Sequence, residues 1–204
     1  FGRVAEPEGV DAGGYRVCHQ KLVSLLGQRV SQALIPFAVS LQAIYRALAD
    51  LDSQDVDGVA QLLVRARLVL TCGNGGSATT ASHFAADLKR AGVKAFCLAD
   101  NVALVTGLAN DIGYPDVFSA QLPEEGTGVV LVAISGSGNS ANLLRAAEVA
   151  RERGIYLVGL LGFGGGLLAE RCDRKIVLSS RDYSVVEAAH SWLCHLIPAI
   201  IKGT

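Results

Sequence analysis

The chain has 204 residues, half of them apolar and 18% charged, with a formal net charge of −1. This composition excludes an intrinsically disordered protein. The charge balance leaves no footprint for nucleic acid, because Lys and Arg are scattered without a basic stripe or interleaved aromatics.

The length suits one substantial core rather than two full domains. No apolar run reaches the roughly 18 residues of a spanning helix, since Gly, Ser, Asp or Arg interrupts each candidate, so no membrane partner is expected. The five cysteines, Cys18, Cys72, Cys97, Cys172 and Cys194, lack CxxC spacing. They read as free thiols of a reducing compartment, which makes the expected location cytoplasmic.

The opening residues, 1–14, are polar and Gly-rich, unlike a signal peptide, and read as a disordered leader. The remainder, 15–204, reads as one domain with an N-terminal helical extension over 15–65. From Tyr15 to Ala49 apolar residues recur at helical spacing, and Pro36 divides or kinks that stretch. A further helix is expected over Asp55–Arg65.

Short apolar runs follow at 68–72, 94–98, 129–134, 156–161 and 175–178, separated by segments of helical character. Strands alternating with helices predict an α/β fold, a doubly wound parallel sheet flanked by helices. The last segment, Ser184–Ile201, is helical and carries Glu187, His190 and His195.

Three strands end in glycine-rich turns: CGNGGSA (72–78), SGSGNSA (135–141) and GFGGG (162–166). In an open parallel sheet such turns share the carboxyl edge, where ligands bind. The first turn also fits GxGxxA, the pattern of a dinucleotide site. That reading needs an acidic residue about 20 positions on, and Asp100 lies somewhat far along for it. The second turn places three hydroxyls, Ser135, Ser137 and Ser140, and several amides at a helix start, a receptor for one phosphate. Ser and Asn also cap helices, but one such residue is enough for that. No GKS or GKT follows, which excludes an NTPase loop.

CGNGGSA, ANDIGY (109–114), AISGSGNSAN (133–142) and VEAAHSWLCH (186–195) together resemble the SIS (sugar isomerase) family, most closely its phosphoheptose isomerase group. The resemblance covers about residues 15–202. It implies a five-stranded parallel sheet, a homotetramer with sites near subunit interfaces, and aldose–ketose isomerisation of sedoheptulose 7-phosphate. By the same resemblance Asn74, Gly75, Gly76 and Ser77 form the first ligand loop and Asn110 and Asp111 a sugar-contacting pair. Ser135, Ser137 and Ser140 form the phosphate loop, with Gly136 where the group usually carries Thr.

His83 and Asp87, i and i+4, share a helix face, a spacing that suits a metal pair and equally an ordinary solvated pair. The resemblance makes Asp87 the catalytic base and metal ligand, one methylene shorter than the usual Glu. It makes His195 the catalytic and zinc-binding imidazole, and Glu187 a ligand where the group has Gln. Positions 187 and 195 are about 80° apart around a helix. His83, Asp87, Glu187 and His195 are therefore read as a four-ligand zinc site, or else as a structural polar cluster. His190 is expected to face elsewhere. The implied chemistry is an enediol proton transfer with Asp87 or Glu187 as base and His195 as partner, without a nucleotide cofactor.

Two other functions fit the sequence less well. One is a non-catalytic regulator on the same scaffold, of the type that binds the replication initiator DnaA, kept open by Gly136 and Asp87. The other is a nicotinamide dehydrogenase.

Overall fold

The five apolar runs become five parallel strands in the order β2-β1-β3-β4-β5. The strands are β1 (Leu68–Gly73), β2 (Ala95–Cys97), β3 (Val129–Ser135), β4 (Tyr156–Leu161) and β5 (Arg174–Val177). The computed structural model describes residues 35–203, with side chains from Val39 onward. The 1–14 leader and the helical pattern before Ile35 lie outside the described residues.

The helices are α1 (Ile35–Ala49), α2 (Ser53–Arg65), α3 (Gly76–Arg90), α4 (Val102–Asp111), α5 (Ala141–Glu152) and α6 (Tyr183–Gly203). Pro36 sits in the first turn of α1, where a missing N–H is tolerated. Asp52 caps α2 by accepting from Gln54 N at 2.8 Å. Two compact units divide the chain, Phe1–Gln42 and Ala43–Thr204. The described part of the first is the start of α1; the second contains the whole sheet.

Central strands of a parallel sheet are buried on both faces and so lose polar alternation; all seven residues of β3 are buried. Successive side chains still point to opposite faces. Val69, Val130, Val132, Ile134, Val158, Leu160 and Ile176 pack with α2, α3 and α6. Leu70, Cys72, Leu131, Ala133, Leu157 and Leu161 pack with α5 and the segment around Phe118. Thr71, the polar exception in β1, donates its hydroxyl to Ala81 O at 2.8 Å and pins α3 to the sheet.

Helix α6 corrects the expectation that no segment is apolar enough to span a membrane. Among the described residues it is the one helix that is long and apolar enough, since Glu187 and Lys202 are its only charged residues. Half of its most apolar stretch is buried, and Val186, Ala189, Leu193 and Ile197 are fully enclosed, as in a core helix.

Candidate active site

With strand order 2-1-3-4-5 the chain direction switches between β1 and β3, and a ligand crevice forms outside the carboxyl ends of those strands. The CGNGGSA and SGSGNSA turns leave those two strands. Gly73 and Ile134 are register partners, so the turns begin side by side. An amide pair locks them: Asn74 Nδ2 donates to Asn142 Oδ1 at 2.9 Å, and Asn142 Nδ2 donates back to Asn74 Oδ1 at 2.8 Å. Tyr114 OH adds a third bond to Asn74 Oδ1 at 2.8 Å, tying in the ANDIGY segment. Asn142 is buried, so this pairing supplies partners that water cannot. The sequence reading missed Tyr114 and Asn142 as site residues, although both stand inside quoted motifs.

Gly75 takes φ +53° to turn the chain into α3, and nothing lies within 4 Å of where its Cβ would be. Ser77, in the first turn of α3, is buried.

In the second turn Ser135 is buried and its Oγ accepts from Gly138 N at 3.0 Å. Ser137 Oγ accepts from Asn139 N at 3.3 Å. These two hydroxyls shape the loop as well as lining it. Ser140 occupies the N-cap of α5 in extended conformation, but its side chain makes no cap hydrogen bond. Capping therefore does not explain Ser140, and the turn presents a hydroxyl beside the first amides of a helix, the arrangement that receives an anion.

The GFGGG turn, read from sequence as serving only the fold, buttresses this loop. Leu168 N donates to Gly138 O at 2.9 Å and Leu167 N to Asn139 Oδ1 at 3.0 Å. A Cβ at Gly138 would collide with Gly165 O.

Asn110 and Asp111 lie exposed at the end of α4, where Asn110 Nδ2 donates to Asp111 Oδ1 at 3.0 Å. They are linked to the loops through Tyr114, three residues beyond Asp111.

Two turns along α3 from the first loop, His83 and Asp87 meet His195 of α6. His195 Nδ1 and Asp87 Oδ2 are hydrogen-bonded at 3.0 Å, and His83 Nε2 stands 3.4 Å from the same oxygen. The two imidazoles meet edge to face, with centroids 4.6 Å apart. Arg90 Nη1 approaches the other carboxylate oxygen, Oδ1, at 3.4 Å. Asp87 is 15% exposed and the two histidines 55%, so the carboxylate forms the floor and the imidazoles the accessible rim. One donor atom from each residue lies within 4.8 Å of the others. Two nitrogens and one oxygen are a donor set that fits zinc.

Glu187 is not part of this cluster. A Cβ at Gly76 would stand 2.7 Å from both of its carboxylate oxygens, so Glu187 sits at the start of α3 while His195 sits beside Asp87. The angular argument for 187 and 195 left out the helical rise. Eight residues advance about 12 Å along the axis, and α6 runs beside α3 in the same sense. The fourfold set thus separates into a three-residue cluster and a lone carboxylate at the mouth of the first loop.

His190 does face elsewhere. It is 1% exposed, and neither ring nitrogen has a hydrogen-bond partner. Burial pushes it from 6.5 down to about 4, offset only in part by the nearby Leu161 backbone. Burial also pushes the Cys172 thiol up to about 12 and raises Cys72, Cys97 and Cys194, which leaves these thiols protonated and chemically quiet.

The profile of the SIS domain family matches residues 37–162. A phosphoheptose isomerase of Rhodospirillum rubrum is 42% identical over 141 residues, 66% of this chain and 75% of that protein. The phosphoheptose isomerase of Helicobacter pylori is 31% identical over 180 residues, 85% of this chain and 94% of that protein. Among solved structures, the phosphoheptose isomerase GmhA of Neisseria gonorrhoeae superposes with a TM-score of 0.78 at 32% identity, covering 85% of this chain and 98% of that one. The Francisella tularensis phosphoheptose isomerase gives a TM-score of 0.76 at 28% identity, covering 82% and 95%. By sequence and by fold, the chain belongs to the SIS domain family, among its phosphoheptose isomerases.

Proposed function

We propose that the protein isomerises sedoheptulose 7-phosphate to an aldoheptose 7-phosphate through an enediol. The substrate class comes from the relatives named above; the chemistry rests on one observation, the 3.0 Å contact between Asp87 Oδ2 and His195 Nδ1. A carboxylate beside an imidazole supplies a base and an acid for adjacent atoms of one substrate. The named relatives lend no support to a DnaA-binding regulator or to a dehydrogenase.

In this reading the Ser135, Gly136, Ser137 and Ser140 turn holds the phosphate, with Asn74, Gly75, Gly76 and Ser77 opposite and Asn110 and Asp111 on the sugar. The seven residues from Gly76 to His83 rise about 10 Å. An open seven-carbon chain, six bonds of about 1.5 Å at tetrahedral angles, extends to about 7.5 Å, and its phosphoester carries the phosphorus about 2.5 Å further. A phosphate at the loops and a carbonyl near the cluster therefore fit one extended molecule.

Asp87 removes the proton from C1 of the ketose. His195 protonates the C2 carbonyl oxygen and takes the proton from the C1 hydroxyl as the enediol collapses. Asp87 then returns a proton to C2, giving the aldose. Glu187, at the mouth of the first loop, is the second carboxylate available to this exchange. Zinc held by His83, Asp87 and His195 would add Lewis-acid polarisation of the carbonyl.

The protein is further read as a cytoplasmic homotetramer. Cys72, Cys97, Cys172 and Cys194 are free thiols, which suits a reducing compartment. None of the residues of α4 is buried, although the helix is mostly apolar, and Val102 is 70% exposed. Such a face suits a contact with another copy. Light scattering of a Val102→Asp variant tests this, with smaller particles expected than for the parent.

The central test is conversion of sedoheptulose 7-phosphate, followed by chromatography of the product aldose. Turnover in the parent that is lost in His195→Ala is the expected result. A parent that leaves the substrate unchanged, with and without added zinc, would sink the reading.

A further inference from the structure

Gly136 needs no glycine for its backbone. Its φ lies outside the positive region that Gly138, two residues on, adopts at +66°. What excludes a side chain there is Tyr183: a Cβ at 136 would stand 2.8 Å from Tyr183 Cε1 and 3.0 Å from Cδ1. The ring occupies the space beside the second loop that a residue at 136 would fill.

Tyr183 packs on Phe163, and hydrogen bonds fix the segments that carry the two rings. The ring centroids are 4.5 Å apart and the planes tilted by 42°. Phe163 has φ +52°, the one non-glycine residue with positive φ among those described, and its N–H donates to Ser180 O at 3.1 Å. A left-handed Phe is strained by roughly 1–2 kcal/mol and persists only where its surroundings fix it. Asp182 fixes the start of α6 by accepting from Ser184 N at 2.8 Å and from Ser184 Oγ at 2.7 Å.

The tyrosine is 56% exposed despite this support. Folding gains little from a large ring left half in water. One turn further along the same face of α6, Glu187 stands at Gly76, whose φ is likewise not positive. One stripe of α6 thus covers both glycine turns.

We propose that Tyr183 is a substrate-binding residue of the phosphate subsite, its ring forming the wall of the Ser135–Ser140 loop where Gly136 leaves it open. This rests on reading that loop as the phosphate receptor. The ring keeps water from one side of the bound phosphate, and hydrogen bonds from the loop amides and hydroxyls gain strength in the drier site.

The test uses the full chain with two readouts: turnover of sedoheptulose 7-phosphate, and the rise in thermal midpoint produced by inorganic phosphate. Tyr183→Ala is expected to raise KM about tenfold with kcat within about twofold of the parent, and to shrink the phosphate effect. Tyr183→Phe keeps the ring and is expected to recover most of the KM and phosphate protection that Tyr183→Ala loses. Gly136→Ala is expected to raise KM in the parent but to add nothing on the Tyr183→Ala background, because the ring it meets is gone. Unchanged KM and unchanged phosphate protection in Tyr183→Ala overturn the proposal, as does strict additivity of the two substitutions. A parent without turnover, yet protected by phosphate in a way that Tyr183→Ala abolishes, refutes the isomerase reading and upholds this one.

Discussion

Asp87 on α3 and His195 on α6 are joined by a 3.0 Å hydrogen bond that spans 108 residues of sequence. Aspartate, though one methylene shorter than glutamate, reaches both imidazoles with a single oxygen. Removing either partner should remove the acid–base pair. His195→Ala and Asp87→Asn are each expected to lower kcat by about a hundredfold or more, with circular dichroism unchanged. Asp87→Glu is expected to lower activity as well, because the longer side chain drives its carboxylate into space that the two histidines occupy. Steady-state kinetics on the three variants decide it, and full activity in His195→Ala would remove this pair from the chemistry.

The separation of Glu187 from the other three residues has a direct consequence for metal binding. After dialysis against zinc, elemental analysis is expected to find about one ion per chain in the parent and in Glu187→Ala, and none in His83→Ala or His195→Ala. Loss of zinc in Glu187→Ala would restore a four-ligand site and imply that α6 moves along α3 when metal binds.

The Asn74–Asn142 pair couples the two glycine turns through mutually satisfied amides. Asn142→Asp keeps the shape but removes the N–H that Asn74 Oδ1 accepts. The loss of a buried hydrogen bond should destabilise the fold by about 1–3 kcal/mol. For a domain of this size that lowers Tm by roughly 2–12 °C. KM should rise with it, since both loops lose their register. A variant with parent-like Tm and KM would show that the pairing is dispensable.

His190 makes stability sensitive to acid. It is neutral in the folded core, lowered to about 4, whereas the unfolded chain protonates it near 6.5. Its share of stability is therefore fully present above pH 6.5 and is lost as pH falls through that window toward 4, by up to about 3 kcal/mol. Thermal melts of the parent should fall between pH 7 and 4.5, and His190→Leu should flatten the profile. An equally steep profile in the variant would assign the acid sensitivity to other groups.

Much of the fold was legible because it is written in local pattern. The runs from Leu68, Val129 and Tyr156 are apolar without alternation, as strands buried on both faces must be, and the structure pairs all five expected runs in one parallel sheet. The glycine turns were legible for the same reason: Gly75 and Gly138 stand where the backbone needs positive φ. His83 and Asp87 were readable as a pair because four residues along a helix return to one face.

What the sequence could not decide was which helix lies against which turn, because contacts between distant segments depend on axial rise and docking as well as on angle. Angular spacing alone put Glu187 with His195, but the advance of α6 along α3 set it instead at Gly76. Gly136 read as a lost hydroxyl until the ring of Tyr183, 47 positions further along, proved to fill its place. Strands, turns and the residue types able to do the chemistry are all readable from local sequence. Which of them meet depends on the folded molecule, since packing of α6 over the carboxyl edge is a property of the assembled core and of no single segment.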